Sequence, residues 1–285
     1  MSARLHPAPR STAAGKPGDR PPGRRHRVPT DAVRGVAGVA VFLALAELAG
    51  RAGLVDRKVL PLASAVLERA AGLAADDVFL DHVATTLTGW SFGLLLTVLI
   101  AVPLGLLIGS IPAVDAAVRP FVEFLRPIPS VAIIPLAISL FPDALDRQLA
   151  VICFGASWPV LLNTVYGLRE VDPVAKETLR SFGFSPLSVL WRVSLPTCAP
   201  FIATGVRIAS GIALILAIST ELLAGGSSGI GVYLIEAGGS TDGIEMIIAA
   251  TVWAGAFGVL FDLLFTRAEG RLFRWRRQSL KGAGE

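Results

Sequence analysis

One short pattern in the sequence could support serine hydrolysis. Residues 225–229 read Gly-Gly-Ser-Ser-Gly, which matches the G-x-S-x-G pattern of a serine nucleophile. Such a serine needs a general base, usually histidine, yet the three histidines are His6, His26 and His82, so none follows the pattern. A loop rich in glycine and serine produces this match easily. An intramembrane hydrolase is therefore an alternative, not the favoured interpretation.

Other residue types with chemical potential do not form recognisable sites. Cys153 and Cys198 both lie in apolar stretches, which excludes a disulfide scaffold, and no Cys/His spacing indicates zinc. The phosphate-binding pattern G-x-x-x-x-G-K-[ST] does not occur in the sequence. We therefore expect no metal, no cofactor and no covalent chemistry. If the chain works against a gradient, energy must come from another chain or from an ion gradient.

Two ionisable residues lie in one apolar run. Arg207 and Glu221 are fourteen positions apart, which on a helix is about 21 Å and close to four turns. They share a helix face with Gly211 and Leu214. One hypothesis is a face that lines a pore, with Leu214 as a constriction and Arg207 offering charge to an anion. The alternative is that Arg207 snorkels to one membrane surface while Glu221 lies at the other interface.

Prolines interrupt another apolar run. Pro127, Pro129 and Pro135 lie within residues 121–141, where each removes a backbone donor and kinks or breaks a helix. Broken membrane helices are tolerated where the backbone lines a cavity. Residues 126–136, including Ser130, are thus a candidate pore lining. The alternative is a simple packing kink.

The composition indicates that these residues are positioned by membrane helices. Of 285 residues, 53% are hydrophobic and only 17% are charged, and the mean hydropathy is +0.64; a soluble domain is about 25% charged. A bilayer core needs about 20 apolar residues per helix. We therefore predict an all-α membrane protein with about six transmembrane helices. The candidate spans are residues 33–54, 84–109, 121–141, 148–168, 198–224 and 244–266.

The charge distribution predicts the topology. The net charge of +4 divides into +6 for residues 1–34, +4 for residues 267–285 and −6 for residues 35–266. Each basic tail adjoins an apolar segment, which points to the positive-inside rule and not to a nucleic-acid partner. Both termini should then lie in the cytoplasm, with an even number of spans across the cell membrane. Residues 169–197 should also be cytoplasmic.

The same patterns suggest boundaries along the chain. Residues 1–30 are rich in Pro, Gly, Ser and Arg without apolar periodicity, so we predict a disordered basic cytoplasmic tail. Residues 31–79 should form the first transmembrane helix and an outer segment. Residues 80–266 should form the transmembrane core, and residues 267–285 a second basic cytoplasmic tail.

The predicted cytoplasmic loop has a clear local pattern. Asp172-Pro173 is a good helix start, and Gly183 suits the left-handed residue that ends the helix. Ser185-Pro186 repeats the start signal, and Pro196 is expected to end the second helix near Leu195. The segment could be an amphipathic hairpin on the membrane surface. It could instead dock a cytoplasmic partner through a helix-in-groove contact.

The spacing within this loop resembles the Glu-Ala-Ala loop of binding-protein-dependent ABC importer permeases. That pattern is Glu-Ala-Ala, three residues, Gly, nine residues, then Ile-x-Leu-Pro. Thr178 and Leu179 replace the two alanines, and Val193 is a conservative replacement of isoleucine. The residues that the resemblance assigns to docking on an ATPase are Glu177, Thr178, Leu179, Gly183, Val193, Leu195 and Pro196.

The resemblance extends over about residues 60–277 and favours the nitrate/sulfonate/taurine branch. Its further elements are the Arg126-Pro127-Ile128-Pro129-Ser130 stretch with Ile134-Pro135-Leu136, residues 101–109, Thr220-Glu221-Leu222-Leu223 with Ser228-Gly229-Ile230-Gly231, Asp262, and Arg274-Trp275-Arg276.

The resemblance implies a type I ABC importer fold and a set of partners. Two permease copies would form a pore in the lipid bilayer, each loop would insert into a cytoplasmic ATP-binding subunit, and a solute-binding protein would dock outside. The expected solute is a small oxyanion such as an aliphatic sulfonate, taurine or nitrate. The alternative is a secondary, ion-coupled transporter, which would normally show inverted repeats; no internal repeat of 20–50 residues is visible.

Overall fold

The computed structural model describes residues 30–54 and 61–273, and in those ranges the chain is helical with no strand. Residues 1–29 and 274–285, including Arg274-Trp275-Arg276, lie outside the described residues, whereas residues 267–272 of the predicted C-terminal tail continue the last described helix. The helices are α1 (Thr30–Arg51), α2 (Ala63–Leu73), α3 (Asp77–Ser110), α4 (Pro112–Leu125), α5 (Ile134–Leu140), α6 (Ala144–Arg169), α7 (Pro173–Ser181), α8 (Pro186–Val189), α9 (Leu195–Ala224), α10 (Ile230–Gly238) and α11 (Gly243–Leu272). A 3₁₀ turn (Ser130–Ile133) precedes α5, and a π turn (Leu190–Ser194) precedes α9.

The number of membrane-spanning segments agrees with the sequence prediction. Five of the described helices, α1, α3, α6, α9 and α11, are long and apolar enough to cross a membrane. The segment from α4 to α5 counts as a sixth if it is one broken span. The prediction of an all-α membrane protein with about six spans is confirmed. We call the end of the helix bundle that carries α7 and α8 the loop side, and the opposite end the far side.

Helix α3 starts earlier than the predicted span. The Asp76 carboxylate accepts hydrogen bonds from the backbone N–H groups of Val78 (2.9 Å) and Phe79 (3.3 Å), which fixes the first turn. The helix therefore begins at Asp77, seven residues before the apolar run that predicted it. Phe79 is buried and packs edge-on against Tyr233 of α10, with ring centroids 5.1 Å apart.

The chain bends sharply at the proline-rich segment. Helices α4 and α5 meet at 87° across a break that contains Pro127 and Pro129. Pro135 lies in the first turn of α5, where its missing N–H costs no helical hydrogen bond. Pro103 and Pro159, in contrast, lie inside α3 and α6, which continue through them. Two adjacent proline interruptions thus break a span, whereas single ones do not.

The core is built from α3, α6 and α9, which pack side by side. Small residues permit the close approach. A Cβ atom at Gly105 would lie 2.7 Å from Cβ of Thr164, and one at Gly205 would lie 2.9 Å from the carbonyl oxygen of Pro159. Lipid supplies no hydrophobic force between helices, so close van der Waals contact of this kind holds them together.

Helix α1 stands apart from this core. Its described side chains are almost all exposed within the chain, and its main attachment is to α2. Glu47 accepts hydrogen bonds from the backbone N–H (3.1 Å) and the hydroxyl (2.9 Å) of Ser64, at the start of α2. Glu47 therefore acts as a cap for a neighbouring helix.

A buried carboxylate joins four segments at the far side. Glu221 of α9 accepts hydrogen bonds from the Thr86 hydroxyl (2.8 Å), the Gln148 amide (2.8 Å) and the backbone N–H of Gly231 (3.0 Å). The Thr86 hydroxyl in turn accepts from the backbone N–H of Ile230 (2.8 Å). Glu221 is 6% exposed. One side chain of α9 thus fixes α3, α6 and the start of α10.

Replacing Glu221 with alanine should destabilise the far side. The Glu221→Ala variant leaves three donors without their acceptor, and each buried donor left unpaired costs about 1–3 kcal/mol. We expect a clear fall in the melting temperature of the detergent-solubilised protein. Glu68→Ala is the matched control, because Glu68 is exposed on α2 and has no bonding partner among the described residues. Equal melting temperatures for the two variants would contradict the proposed role of Glu221.

Candidate functional site

The loop between α6 and α9 begins with a fixed helix and corner. The Asp172 carboxylate accepts a hydrogen bond from the Val174 N–H (2.8 Å) at the start of α7. The helix ends at Ser181, and the chain turns at Gly183, which has φ +81°, a conformation that costs glycine little. The Gly183 N–H bonds the Arg180 carbonyl (2.9 Å) and the Phe184 N–H bonds the Leu179 carbonyl (3.1 Å), which is a Schellman motif. The structure thus contains the glycine corner that the sequence predicts.

The second half of the loop differs from the prediction. The Ser185 hydroxyl accepts from the Ser188 N–H (3.3 Å) at the start of α8, as expected. The expectation that Pro196 ends this helix near Leu195 was wrong. Pro196 lies in the first turn of α9, and the π turn Leu190–Ser194 joins α8 to α9 without a gap. A wider turn accommodates the missing proline N–H and the bulk of its ring.

The loop exposes large apolar side chains. Phe182 is 77% exposed, and Leu187 and Trp191 are each 64% exposed. Val189 and Ser194 are buried and anchor the loop against the bundle. Of the predicted docking residues, Glu177, Thr178, Gly183 and Pro196 are exposed, whereas Leu179, Val193 and Leu195 are half-buried. The loop therefore presents an apolar surface on a locally rigid frame.

A groove lies beside the broken segment, between it and the middle of α6 and α9. Its volume is about 440 Å³. Its polar lining residues are Arg126, Ser130, Trp158, Asn163 and Tyr166, and its apolar lining residues are Gly155, Pro159, Leu162, Ile208 and Ile212. Arg126 is the one charged residue in this lining, which contains no acidic side chain. The groove therefore favours negative charge.

Helix geometry positions the groove residues. Trp158, Leu162 and Tyr166 lie four residues apart on α6, and Ile208 and Ile212 do so on α9, so each set lines one face. The Trp158 indole nitrogen is shielded from solvent and has no acceptor among the described residues. An unpaired buried donor is costly, so this N–H is a vacant hydrogen-bonding group next to the groove.

Arg126 connects the groove to a second, charged cavity on the loop side. This cavity of about 130 Å³ also contains Asp115, Arg119, Glu123 and Arg169. Arg169 binds Asp115 through two contacts of 3.1 and 2.8 Å, and Arg119 pairs with Glu123 at 3.4 Å. Arg126 forms no ion pair with any described residue.

The predicted pore residues have separate surroundings. Arg207 donates to the Thr266 hydroxyl (3.1 Å) and lies 3.8 and 3.9 Å from the carboxylates of Glu269 and Asp262, all on α11. Glu221 is held at the far side, as described above. The structure therefore does not bring Arg207 and Glu221 into one open stripe.

The remaining candidates are equally dispersed. Leu214, the suggested constriction, is 4% exposed and packs in the core. Gly211 faces open space within the chain. Pro127, Pro129 and Pro135 are exposed, and Ser130 lines the groove.

Sequence reasoning missed most of the groove. Arg126 falls within the predicted pore lining 126–136, where the prediction rested on the prolines and gave Arg126 no role of its own. Trp158, Asn163 and Tyr166 were not selected. These three residues are polar or amphipathic and recur at helical spacing on the predicted span 148–168. That spacing is the sequence signal that could have identified them.

The hydrolase pattern does not acquire the geometry of a nucleophile. Ser227 is exposed in the bend between α9 and α10. His82, the one histidine among the described residues, lies near this loop; its Nδ1 accepts from the Gly229 N–H at 2.9 Å and is 3.3 Å from the hydroxyl of Ser228, not of Ser227. The neighbouring Ser228 hydroxyl donates to Asp81 (3.1 Å). No cluster of three potential metal ligands occurs within residues 30–54 and 61–273.

Comparison with known proteins identifies the family. Residues 101–274 match the family model described as "Binding-protein-dependent transport system inner membrane component". The chain is 28% identical to the taurine transport system permease protein TauC of Escherichia coli (strain K12), covering 83% of this chain and 87% of TauC. It is 30% identical to the nitrate import permease protein NrtB of Leptolyngbya laminosa, covering 68% of each.

The fold has solved counterparts. The crystal structure of a bacterial ABC transporter that imports the acidic polysaccharide alginate contains a chain with a TM-score of 0.60 and 15% identity, covering 86% of this chain and 98% of that one. The family match includes the loop, the groove and most of the core helices. This chain belongs to the binding-protein-dependent ABC importer permeases and is a non-catalytic, multi-pass membrane subunit with the type I importer fold.

Proposed function

We propose that this permease carries a small oxyanion such as an aliphatic sulfonate, taurine or nitrate. The observation that carries the proposal is the groove, whose polar lining combines one arginine with neutral hydrogen-bonding groups and no carboxylate. The likeness to a taurine permease and a nitrate permease supports the same solute class. The bound solute would come from an extracytoplasmic binding protein.

The loop is the proposed site for an ATP-binding subunit. Phe182, Leu187 and Trp191 would fill an apolar groove on that subunit, as helices do in other helix-in-groove contacts. On this proposal the loop side faces the cytoplasm, and the basic residues of the loop and of both tails support that orientation. ATP binding would draw two such loops together and switch the pathway from inward-facing to outward-facing.

A second copy of this permease would complete the pathway. In one chain the groove is open, and its wall on α9 ends at an exposed strip that contains Ile208, Gly211 and Ile215. A glycine with free space above it permits close approach of another helix. A homodimer would therefore enclose two grooves around one pore.

Copurification and uptake test this proposal. Tagged permease expressed with its ATP-binding subunits should bring them down, and cells should take up taurine, ethanesulfonate or nitrate only while ATP is available. Growth of a deletion strain on each as sole sulfur or nitrogen source would identify the solute. Uptake that persists after ATP depletion, with no associated ATPase, would instead indicate an ion-coupled transporter.

A substitution at Gly183 tests more directly whether the loop couples ATP hydrolysis to solute uptake. Gly183→Val forces a β-branched residue to φ +81°, which costs about 1–3 kcal/mol of backbone strain. A Cβ atom there meets nothing within 4 Å, so the change acts on the backbone conformation and not on packing. We expect ATP hydrolysis to continue while uptake falls at least severalfold. Both rates are measured on the assembled importer in proteoliposomes.

Asparagine provides the matched control at this corner. Asn tolerates the left-handed conformation, so Gly183→Asn should retain most of the uptake. Equal uptake by wild type and Gly183→Val would remove the corner from the coupling mechanism.

A further inference from the structure

Arg126 differs from the other arginines near the pathway. The charge of Arg169 is neutralised by Asp115, that of Arg119 by Glu123, and that of Arg207 by the two acids of α11. Arg126 is exposed, lies at the C-terminus of α4 and has no acidic partner among the described residues. A free guanidinium beside a span is costly unless it faces water or a charged ligand.

The position of Arg126 indicates at which part of the pathway it would contact a solute. It borders both the groove and the charged cavity on the loop side. Gly155 and Ile212, which also line the groove, lie near the middle of α6 and α9, whereas Asp115 and Arg169 of the charged cavity lie near the loop-side ends of α4 and α6. Arg126 therefore occupies the passage between the membrane centre and the loop side.

We propose that Arg126 is the anion-selecting residue of the pathway and contacts the sulfonate or nitrate oxygens as the solute leaves the groove toward the loop side. This inference rests on the proposed oxyanion function and assigns it to one side chain. The planar guanidinium can donate two parallel hydrogen bonds to two oxygens of such a group. Tyr166, whose side chain lines the same groove, offers a neighbouring hydroxyl donor.

The number of charged side chains in the groove also restricts which solutes it can bind. A single unpaired cation matches one negatively charged group, such as the sulfonate of taurine or ethanesulfonate or the nitrate ion itself, and the 440 Å³ groove leaves room for a short organic tail against Leu162, Ile208 and Ile212. One arginine is a poor match for the several charges of a polyphosphate. The site is thus matched to sulfonates and nitrate-like ions.

The first experiment measures uptake by the complete importer in proteoliposomes, with the binding protein saturated by radiolabelled taurine, or by nitrate if taurine is not carried. A lost charge-assisted hydrogen bond of about 1.5–3 kcal/mol corresponds to roughly 10–100-fold in rate. Arg126→Gln should therefore lower uptake at least about tenfold, while the ATPase rate stimulated by the binding protein stays within about twofold of wild type. Arg126→Lys should fall in between, since it keeps the charge but loses the planar fork.

Arg119→Gln is the matched control. Arg119 lies two turns away on the same face of α4, is exposed and borders the charged cavity but not the groove. Its uptake should match wild type. Equal losses in the two variants would show that α4 tolerates no loss of positive charge, and would overturn a specific role for Arg126.

Chemical modification of a cysteine at position 126 distinguishes a loss of uptake caused by the missing charge from one caused by misfolding. In a Cys153→Ala, Cys198→Ala background, Arg126→Cys is treated with a cationic trimethylammonium-ethyl or an anionic sulfonatoethyl methanethiosulfonate. The cationic reagent should raise uptake at least about fivefold, and the anionic one should not, because only the former restores an attractive charge. Equal effects of the two reagents would refute the proposal, as would wild-type uptake by Arg126→Gln.

The outcomes also distinguish this inference from the function on which it rests. If wild-type importer carries no oxyanion, the proposed function fails before any variant is compared. If the wild type carries taurine or nitrate and Arg126→Gln does so equally well, only the role of Arg126 fails.

Discussion

The absence of water in the bilayer core is the constraint on which this structure depends. Every backbone N–H and C=O in that region needs a partner within the protein, which favours long helices. The described chain interrupts its long helices at the proline break before Ser130, where α4 and α5 meet at 87°. Pro127 and Pro129 have no N–H, and the N–H groups of Arg126 and Ile128 bond the carbonyls of Val122 and Leu125. A broken membrane helix is tolerated where it borders a cavity, and the groove lies there. The break in the helix and the groove beside it therefore depend on each other.

Much of the architecture could be predicted because its causes are local. Span length, the cap at Asp172 and the glycine corner at Gly183 depend on neighbouring residues, and each is present in the structure. The exception among local features is Pro196. A π turn, which no simple pattern announces, lets the helix continue where a proline was expected to stop it.

The site residues were less predictable because their partners are remote in sequence. Glu221 and Arg207 were grouped by helical spacing, yet Glu221 binds Thr86 and Gln148, which lie 135 and 73 residues away. Arg207 instead pairs with α11. Whether a charge is buried depends on which helices pack around it. The periodicity of the sequence does not show which helices those are. For the same reason, the sequence alone does not reveal that Arg126 lacks an acidic partner, because that depends on which residues surround it in the fold.

Helix α9 links the two ends of the molecule mechanically. It runs unbroken from the loop to Glu221, whose hydrogen bonds tie it to α3, α6 and α10. Because α9 also packs closely against α6, as at Gly205 and Cys198, the two helices would move as one unit. At 1.5 Å per residue, Leu195 is about 39 Å and Ile212 about 13 Å along the helix from Glu221. A displacement of the loop that tilts this unit about its Glu221 end would therefore move the groove wall on α9 by about one third as much, so that a large movement at the ATP-binding subunit becomes a small one where the solute passes.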